Sequence, residues 1–140
     1  MNKLIFKRTH KDAITPYRAN ATDSGLDLFT CEDKVLEPNE TAIIDTGIAI
    51  HLDKGYEAQV RPRSGVTATT KLRVQLGTID HTYHKSVGII VDNIGKRPIT
   101  VEQGKKLAQL IVAPVVYPEI TEVESFERES ERSGFGSTGY

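Results

Sequence analysis

The chain has no tryptophan, one methionine and one cysteine, Cys31. A single cysteine cannot form an internal disulfide or a cysteine-based zinc cluster, and it suits a reducing cytosol. The net charge of −1 leaves no bulk attraction to nucleic acid or anionic lipid. No apolar run approaches a bilayer-spanning length. The opening Met1-Asn2-Lys3-Leu4-Ile5-Phe6-Lys7 is too short and too charged for a signal peptide. A cytoplasmic domain is expected, with neither nucleic acid nor membrane as partner. The Asn-x-Thr patterns at Asn20 and Asn39 mean nothing without secretion. No Gly-x-x-x-x-Gly-Lys-Ser/Thr is present and no Gly-x-Gly-x-x-Gly follows a strand, so neither a P-loop nor a Rossmann fold is supported.

What is present is a succession of short apolar or alternating runs. They are Leu4–Phe6, Leu26–Phe29, Thr41–Leu52, Tyr56–Val60, Leu72–Leu76, Val87–Val91, Ile99–Val101, Leu107–Val112 and Val115–Val123. Proline or glycine punctuates nearly every gap, as at Pro38-Asn39, Lys54-Gly55, Pro62, Gly95, Gln103-Gly104 and Pro118. Many short strands at near-regular spacing predict an all-β sandwich or barrel. One short helix is expected over Gly65–Thr70, a poor one given its threonines and valine. A length of 140 residues suits one domain with a real core. From about Ser125 the composition turns polar, so residues 1–124 are expected to form the barrel and 125–140 an arm leaving it.

Five segments can carry chemistry. Asp23-Ser24-Gly25-Leu26-Asp27-Leu28 sets two carboxylates around a glycine, suited to holding the waters of a magnesium ion or to a plain turn before a strand. Arg61-Pro62-Arg63-Ser64-Gly65 places arginine and a hydroxyl at a helix start, an anion site or an ordinary cap. In Gly77-Thr78-Ile79-Asp80-His81-Thr82-Tyr83, Asp80 faces the side opposite Ile79 if the segment is extended. There it can act as a general base on water or sit in a hairpin turn. His81 and His84 with Asp80 make a weak metal motif; solvated loop histidines are the alternative. Gln109 interrupts the apolar run Leu107–Ile111 and needs partners, either main chain or ligand. The tail Arg132-Ser133-Gly134-Phe135-Gly136-Ser137-Thr138-Gly139-Tyr140 is too polar to order itself alone. Yet arginine, hydroxyls and glycine-freed N–H groups match phosphates, and phenylalanine can stack on a base. It reads as a lid over a phosphorylated ligand or as a flexible tail.

In this order the segments resemble the five motifs of the trimeric deoxyuridine triphosphate nucleotidohydrolases (dUTPases). Ser-Gly-Leu-Asp-Leu, Pro-Arg-Ser-Gly, Gly-Thr-Ile-Asp-x-x-Tyr, Ala-Gln-Leu and Gly-Phe-Gly-Ser-Thr-Gly all match, from about Asn20 to Tyr140. The resemblance implies a jelly-roll-like β-barrel with a flexible C-terminal arm, assembled as a homotrimer with shared active sites. It implies hydrolysis of dUTP to dUMP and pyrophosphate, with Mg2+ on the triphosphate. Asp80 would be the general base toward the attacking water, and Asp27 would hold magnesium through a water. Arg63, Ser64, Gly65 and Gln109 would contact phosphates. Gly77 would read uracil through its backbone, with Gln75 supporting that pocket, and Tyr83 would pack on the deoxyribose. In the arm, Phe135 would stack on uracil, while Arg132, Gly136, Ser137 and Thr138 would grip the phosphates.

Three features depart from the common pattern. Tyr83-His84-Lys85 stands where many members have Tyr-Arg-Gly. Arg132 lies three residues before Phe135 rather than five, with Arg128 as the alternative arm arginine. Gln75 falls where a polar residue often supports the pocket, in a loosely aligned stretch. Two other readings are a dCTP deaminase of the same fold and a dUTPase-like regulator that binds a protein partner. Asp80 in the hairpin, where deaminase relatives use a glutamate, and the intact Gly-Phe-Gly-Ser-Thr-Gly arm favour the dUTPase.

Overall fold

The computed structural model describes residues 1–135. The described chain is built from ten strands and one helix. In order they are β1 (Ile5–Arg8), β2 (Leu26–Phe29), β3 (Lys34–Leu36), β4 (Thr41–His51), β5 (Tyr56–Pro62), α1 (Ser64–Thr69), β6 (Leu72–Val74), β7 (Gly77–Ile79), β8 (Ser86–Asn93), β9 (Ile99–Val101) and β10 (Lys106–Pro114). All pairings are antiparallel. One four-stranded sheet runs β1-β4-β8-β6, the other β2-β10-β5-β7, and β3 pairs with β9 as a short ribbon. The all-β barrel expected from the sequence is what forms. Among the described residues no helix is long and apolar enough to cross a membrane.

Period-two patterning explains which face is buried. On β8, Val87, Ile89, Val91 and Asn93 point inward while Gly88, Ile90 and Asp92 point away. The inward residues join Ile44 and Ile50 of β4, Val60 of β5 and Leu107 and Leu110 of β10 in one core between the sheets. Each such aliphatic side chain contributes roughly 1.5–3 kcal/mol by leaving water. Asn93 is the polar exception, and it is fully paired. Its Nδ2 donates to Leu36 O at 3.0 Å and Arg97 O at 2.8 Å, and its Oδ1 accepts from Gly95 N at 2.9 Å.

The alternation breaks twice, each time at a shift in register. In β4 the pairing with β8 slips between Asp45 and Ala49, and residues 46–50 are all buried. Gly47 sits in this bulge at φ +68°, and a Cβ there would meet Ala13 Cβ and His10 Cβ, both at 2.8 Å. In β10 the slip falls between Lys106 and Ala108, so Leu107 and Ala108 are both buried. Cys31 lies buried behind the β4 bulge. Burial, then the carboxylates of Asp45 and Glu32, push its thiol up to about 11, so it stays protonated at neutral pH.

The run Val115–Val123 does not form the strand expected of it. Val115 N–H donates to Gly55 O at 2.9 Å, and beyond it the chain has no strand partner. Ile120 is 98% exposed. Pro118 removes a donor that a ladder would need, and an apolar run alone supplies no neighbouring strand. Two short strands, β3 and β7, were not expected; Lys-Val-Leu and Gly-Thr-Ile carry only two and one apolar side chains.

Candidate active site

The first cleft gathers the ends of β2, β10 and β5. It has a volume of about 350 Å³ and is walled by Asp23, Gly25, Asp27, Arg63, Ser64, Gly65 and Gln109, with Ala19. Sheet register makes this neighbourhood, because Gln109 of β10 pairs with Asp27 of β2 on one side and Arg61 of β5 on the other. Asp27 is 15% exposed, and Arg63 Nε lies 3.2 Å from its Oδ1 and Lys106 Nζ 3.9 Å from its Oδ2. Arg63 also donates from Nη1 to Lys106 O at 3.3 Å. Arg63 occupies the cap position of α1, with no side-chain cap bond, so Ser64 and Gly65 begin the helix. Their N–H groups have no partner within the helix. The other arginine of the motif, Arg61, turns elsewhere, donating from Nε and Nη2 to Gln59 Oε1 at 2.9 and 2.7 Å.

Gln109 finds a main-chain partner, its Nε2 donating to Pro62 O at 2.8 Å. Gly25 makes room for it. A Cβ at that position would stand 2.3 Å from Gln109 Oε1. Lys106, beside Asp27, was not among the expected site residues. Asp23, one of the two carboxylates expected around Gly25, lines the cleft. Asp23 is in fact fixed, its Oδ2 accepting from Asn20 N and Nδ2, both at 3.0 Å.

The second cleft is smaller, about 170 Å³, and lies between β7 and β8. Gly77, Thr78, Ile79 and Tyr83 wall it with Val60, Val87, Gly88 and Ile90. Gly77 pairs with Val60 and Ile79 with Ala58. Ile79 is buried and Asp80 exposed, the opposition of faces expected for an extended segment. The Tyr83 hydroxyl donates to Ser86 O at 2.9 Å, which turns the ring along the cleft wall. Beneath it, Ser86 Oγ donates to Asp45 Oδ1 and accepts from Thr9 Oγ1. Gln75 is not part of this cleft; its Nε2 donates to Asp92 Oδ2 and its N–H to Ile90 O.

The two clefts are separate within one chain. β7 runs antiparallel to β5, so Asp80 continues past Ala58 toward Glu57, whereas Arg63 follows the opposite end of β5. Six strand residues span roughly 20 Å, which sets the distance between Asp80 and Arg63. Arg132 and Phe135 are exposed, and neither lines either cleft. Gly136, Ser137 and Thr138 lie outside the described residues.

Among the described residues no three His, Cys, Asp or Glu side chains converge as a metal cage, and this holds for Asp80, His81 and His84. Asp27, already flanked by two cations, fits a magnesium ion only as one carboxylate acting through water, with other oxygens supplied by a ligand's phosphates.

Known proteins place this geometry. The chain superimposes over its full length on a nucleotide-bound barrel, the Staphylococcus bacteriophage 80alpha dUTPase with dUPNHPP, with a TM-score of 0.95 and 34% identity over 100% of both chains. A point mutant of the dUTPase from S. aureus phage phi11, described with a structural Mg(II) ion, gives 0.87 and 33% over 91% of this chain and 100% of that one. A family model described as dUTPase matches residues 11–139. Among curated relatives, the deoxyuridine 5'-triphosphate nucleotidohydrolase of Clostridioides difficile is 43% identical over 100% of both chains. That of Hydrogenobaculum sp. (strain Y04AAS1) is 40% identical over 98% of each. The chain belongs to the dUTPase family.

Proposed function

We propose that the chain hydrolyses dUTP to dUMP and pyrophosphate at sites shared between the copies of a homotrimer. The observation that carries the assembly is the separation of the clefts. Asp80 and Tyr83 stand at one end of β5, and Asp27, Arg63 and Gln109 gather at the other. Among the described residues, neither of these two clefts holds members of both sets. A complete site needs the hairpin of one copy beside the polar cleft of another, with the arm of residues 125–140 closing over it.

In that site the Gly77 backbone reads uracil. Main-chain groups matched to uracil leave unpaired partners when cytosine enters, which is the strong form of discrimination. Tyr83, held by Ser86, packs against the sugar and crowds out a 2′-hydroxyl. Arg63, the first-turn N–H groups of Ser64 and Gly65, and the Gln109 amide take the phosphates. Asp27 would hold a magnesium ion through water, and the ion would supply neutralisation of charge on the triphosphate. Asp80 accepts a proton from the water that attacks the α-phosphorus. The new oxygen–phosphorus bond forms as the bond to the β-phosphate oxygen breaks, and pyrophosphate departs. Phe135 stacks on the base, and Arg132, Gly136, Ser137 and Thr138 cover the phosphates and exclude bulk water.

Hydrolysis in 18O-water tests the point of attack. The label is expected in dUMP and not in pyrophosphate. Label in pyrophosphate would move the attack to the β-phosphorus and remove Asp80 from its assigned place. The Gln109 contact is tested by Gly25→Ala. The added methyl swings the amide away from Pro62, and loss of one hydrogen bond of roughly 0.5–1.5 kcal/mol is expected to raise KM for dUTP by about three- to tenfold. An unchanged KM would free Gln109 from phosphate binding.

A further inference from the structure

The ladder between β4 and β8 is interrupted beside the smaller cleft. Asp45 pairs with Gly88 and Ala49 with Ser86, so Thr46, Gly47 and Ile48 stand opposite Val87 alone. Side chains take over where the ladder lapses. Thr46 Oγ1 donates to Val87 O at 2.7 Å and accepts from Ile48 N at 3.3 Å. Ser86 Oγ accepts from Thr9 Oγ1 at 3.0 Å and donates to Asp45 Oδ1, which also accepts from Gly47 N at 2.8 Å. Asp45 is itself held at its main chain. Its N–H donates to Glu32 Oε1 at 3.2 Å, and its O accepts from Cys31 N at 3.0 Å. Thr46 and Val87 are buried, so this fastening belongs to the barrel wall. Its far end is the cleft: Ser86 O accepts the Tyr83 hydroxyl at 2.9 Å, and Val87 walls the cavity.

We propose that Asp45 is a positioning residue for sugar selection: through Ser86 it fixes the carbonyl that holds Tyr83 against the deoxyribose. The proposal rests on the dUTP-hydrolysing reading above. A bulge leaves the opposing strand without its regular partners, and a side-chain acceptor can restore them. A carboxylate suits the task because one oxygen accepts more than one donor, and Asp45 Oδ1 takes both the Ser86 hydroxyl and the Gly47 N–H. Without it the Ser86 hydroxyl keeps only its contact with Thr9. Ser86 O then loses its fixed place, and the Tyr83 ring moves with it. Exclusion by crowding depends on placement, so a small shift of the ring admits a 2′-hydroxyl that a fixed ring refuses. Thr46, not Asp45, holds Val87, so the cleft wall beneath the base keeps its own fastening. Selection of the sugar and selection of the base are therefore separable.

The test is steady-state kinetics of the full chain with dUTP, UTP and dCTP, comparing the parent with Asp45→Ala, Asp45→Asn and Ser86→Ala. Asp45→Ala is expected to lose about three- to tenfold in dUTP-over-UTP preference, the effect of one hydrogen bond, with the change in dUTP falling on KM rather than kcat. Its dUTP-over-dCTP preference is expected to stay within about twofold of the parent. Asp45→Asn keeps the accepting oxygen and is expected to restore the parental preference. Ser86→Ala keeps the carbonyl but loses the hydroxyl, disturbs Asp45 less, and is expected to match Asp45→Ala. In a Tyr83→Phe background, which lacks the hydroxyl that Ser86 O holds, Asp45→Ala is expected to add less than about twofold. Thermal unfolding shows that each variant is folded. Parental dUTP-over-UTP preference in folded Asp45→Ala or Ser86→Ala would overturn the proposal. So would equal loss against UTP and dCTP, or an undiminished Asp45→Ala effect in the Tyr83→Phe background. A parent that fails to hydrolyse dUTP would overturn the functional reading and this proposal together, whereas the other failures leave that reading standing.

Discussion

Asp80→Asn is expected to lower turnover of dUTP by about two to four orders of magnitude while leaving the barrel folded. The carboxylate has no fold-level task. It is exposed, and its residue contributes to the hairpin through a main-chain oxygen that accepts from Tyr83. The amide keeps size and hydrogen-bonding capacity but cannot take the proton from water. Loss should therefore fall on kcat, with KM little changed. Single-turnover measurements separate this chemistry from product release, and circular dichroism checks the fold. Near-parental kcat would remove Asp80 as the base.

Deleting residues from Ser130 onward is expected to cost roughly a hundredfold or more in kcat/KM, with the melting temperature nearly unchanged. Beyond Pro114 the described chain joins no strand, and residues 119–135 are exposed throughout. They add little to the core that folds the barrel. Their proposed work comes with substrate: covering the phosphates, stacking on the base and excluding water from a reaction that needs only one. A truncated chain with full activity would rule out the lid. One that unfolds would show the arm belongs to the barrel.

The sequence disclosed most where local pattern and tertiary role agree. Leu26–Phe29 and Ile99–Val101 form the strands their pattern predicts, because turn residues bound them on both sides. Asp27, Arg63, Ser64, Gly65 and Gln109 meet in one cleft although they lie far apart in the chain. Their residue types suggested chemistry, but only sheet register brings Gln109 beside Asp27. Pattern failed where partners decide. Val115–Val123 is apolar enough to read as a strand yet finds none to pair with, and β7, Gly-Thr-Ile, carries a single apolar side chain and does not register as one. Gln75 looked like a pocket residue, and Asp92, seventeen residues away in sequence, holds its amide instead. Lys106 was invisible for the same reason: it gains its meaning from a residue on another strand.

The most direct test of the account is pyrophosphate release from dUTP, with dCTP, dTTP and UTP alongside, in the presence of magnesium and of a chelator. The account predicts fast release from dUTP alone, lost on chelation. Ammonia release from dCTP would make the chain a deaminase on the same barrel. No release from any of the four would contradict its reading as a dUTP hydrolase.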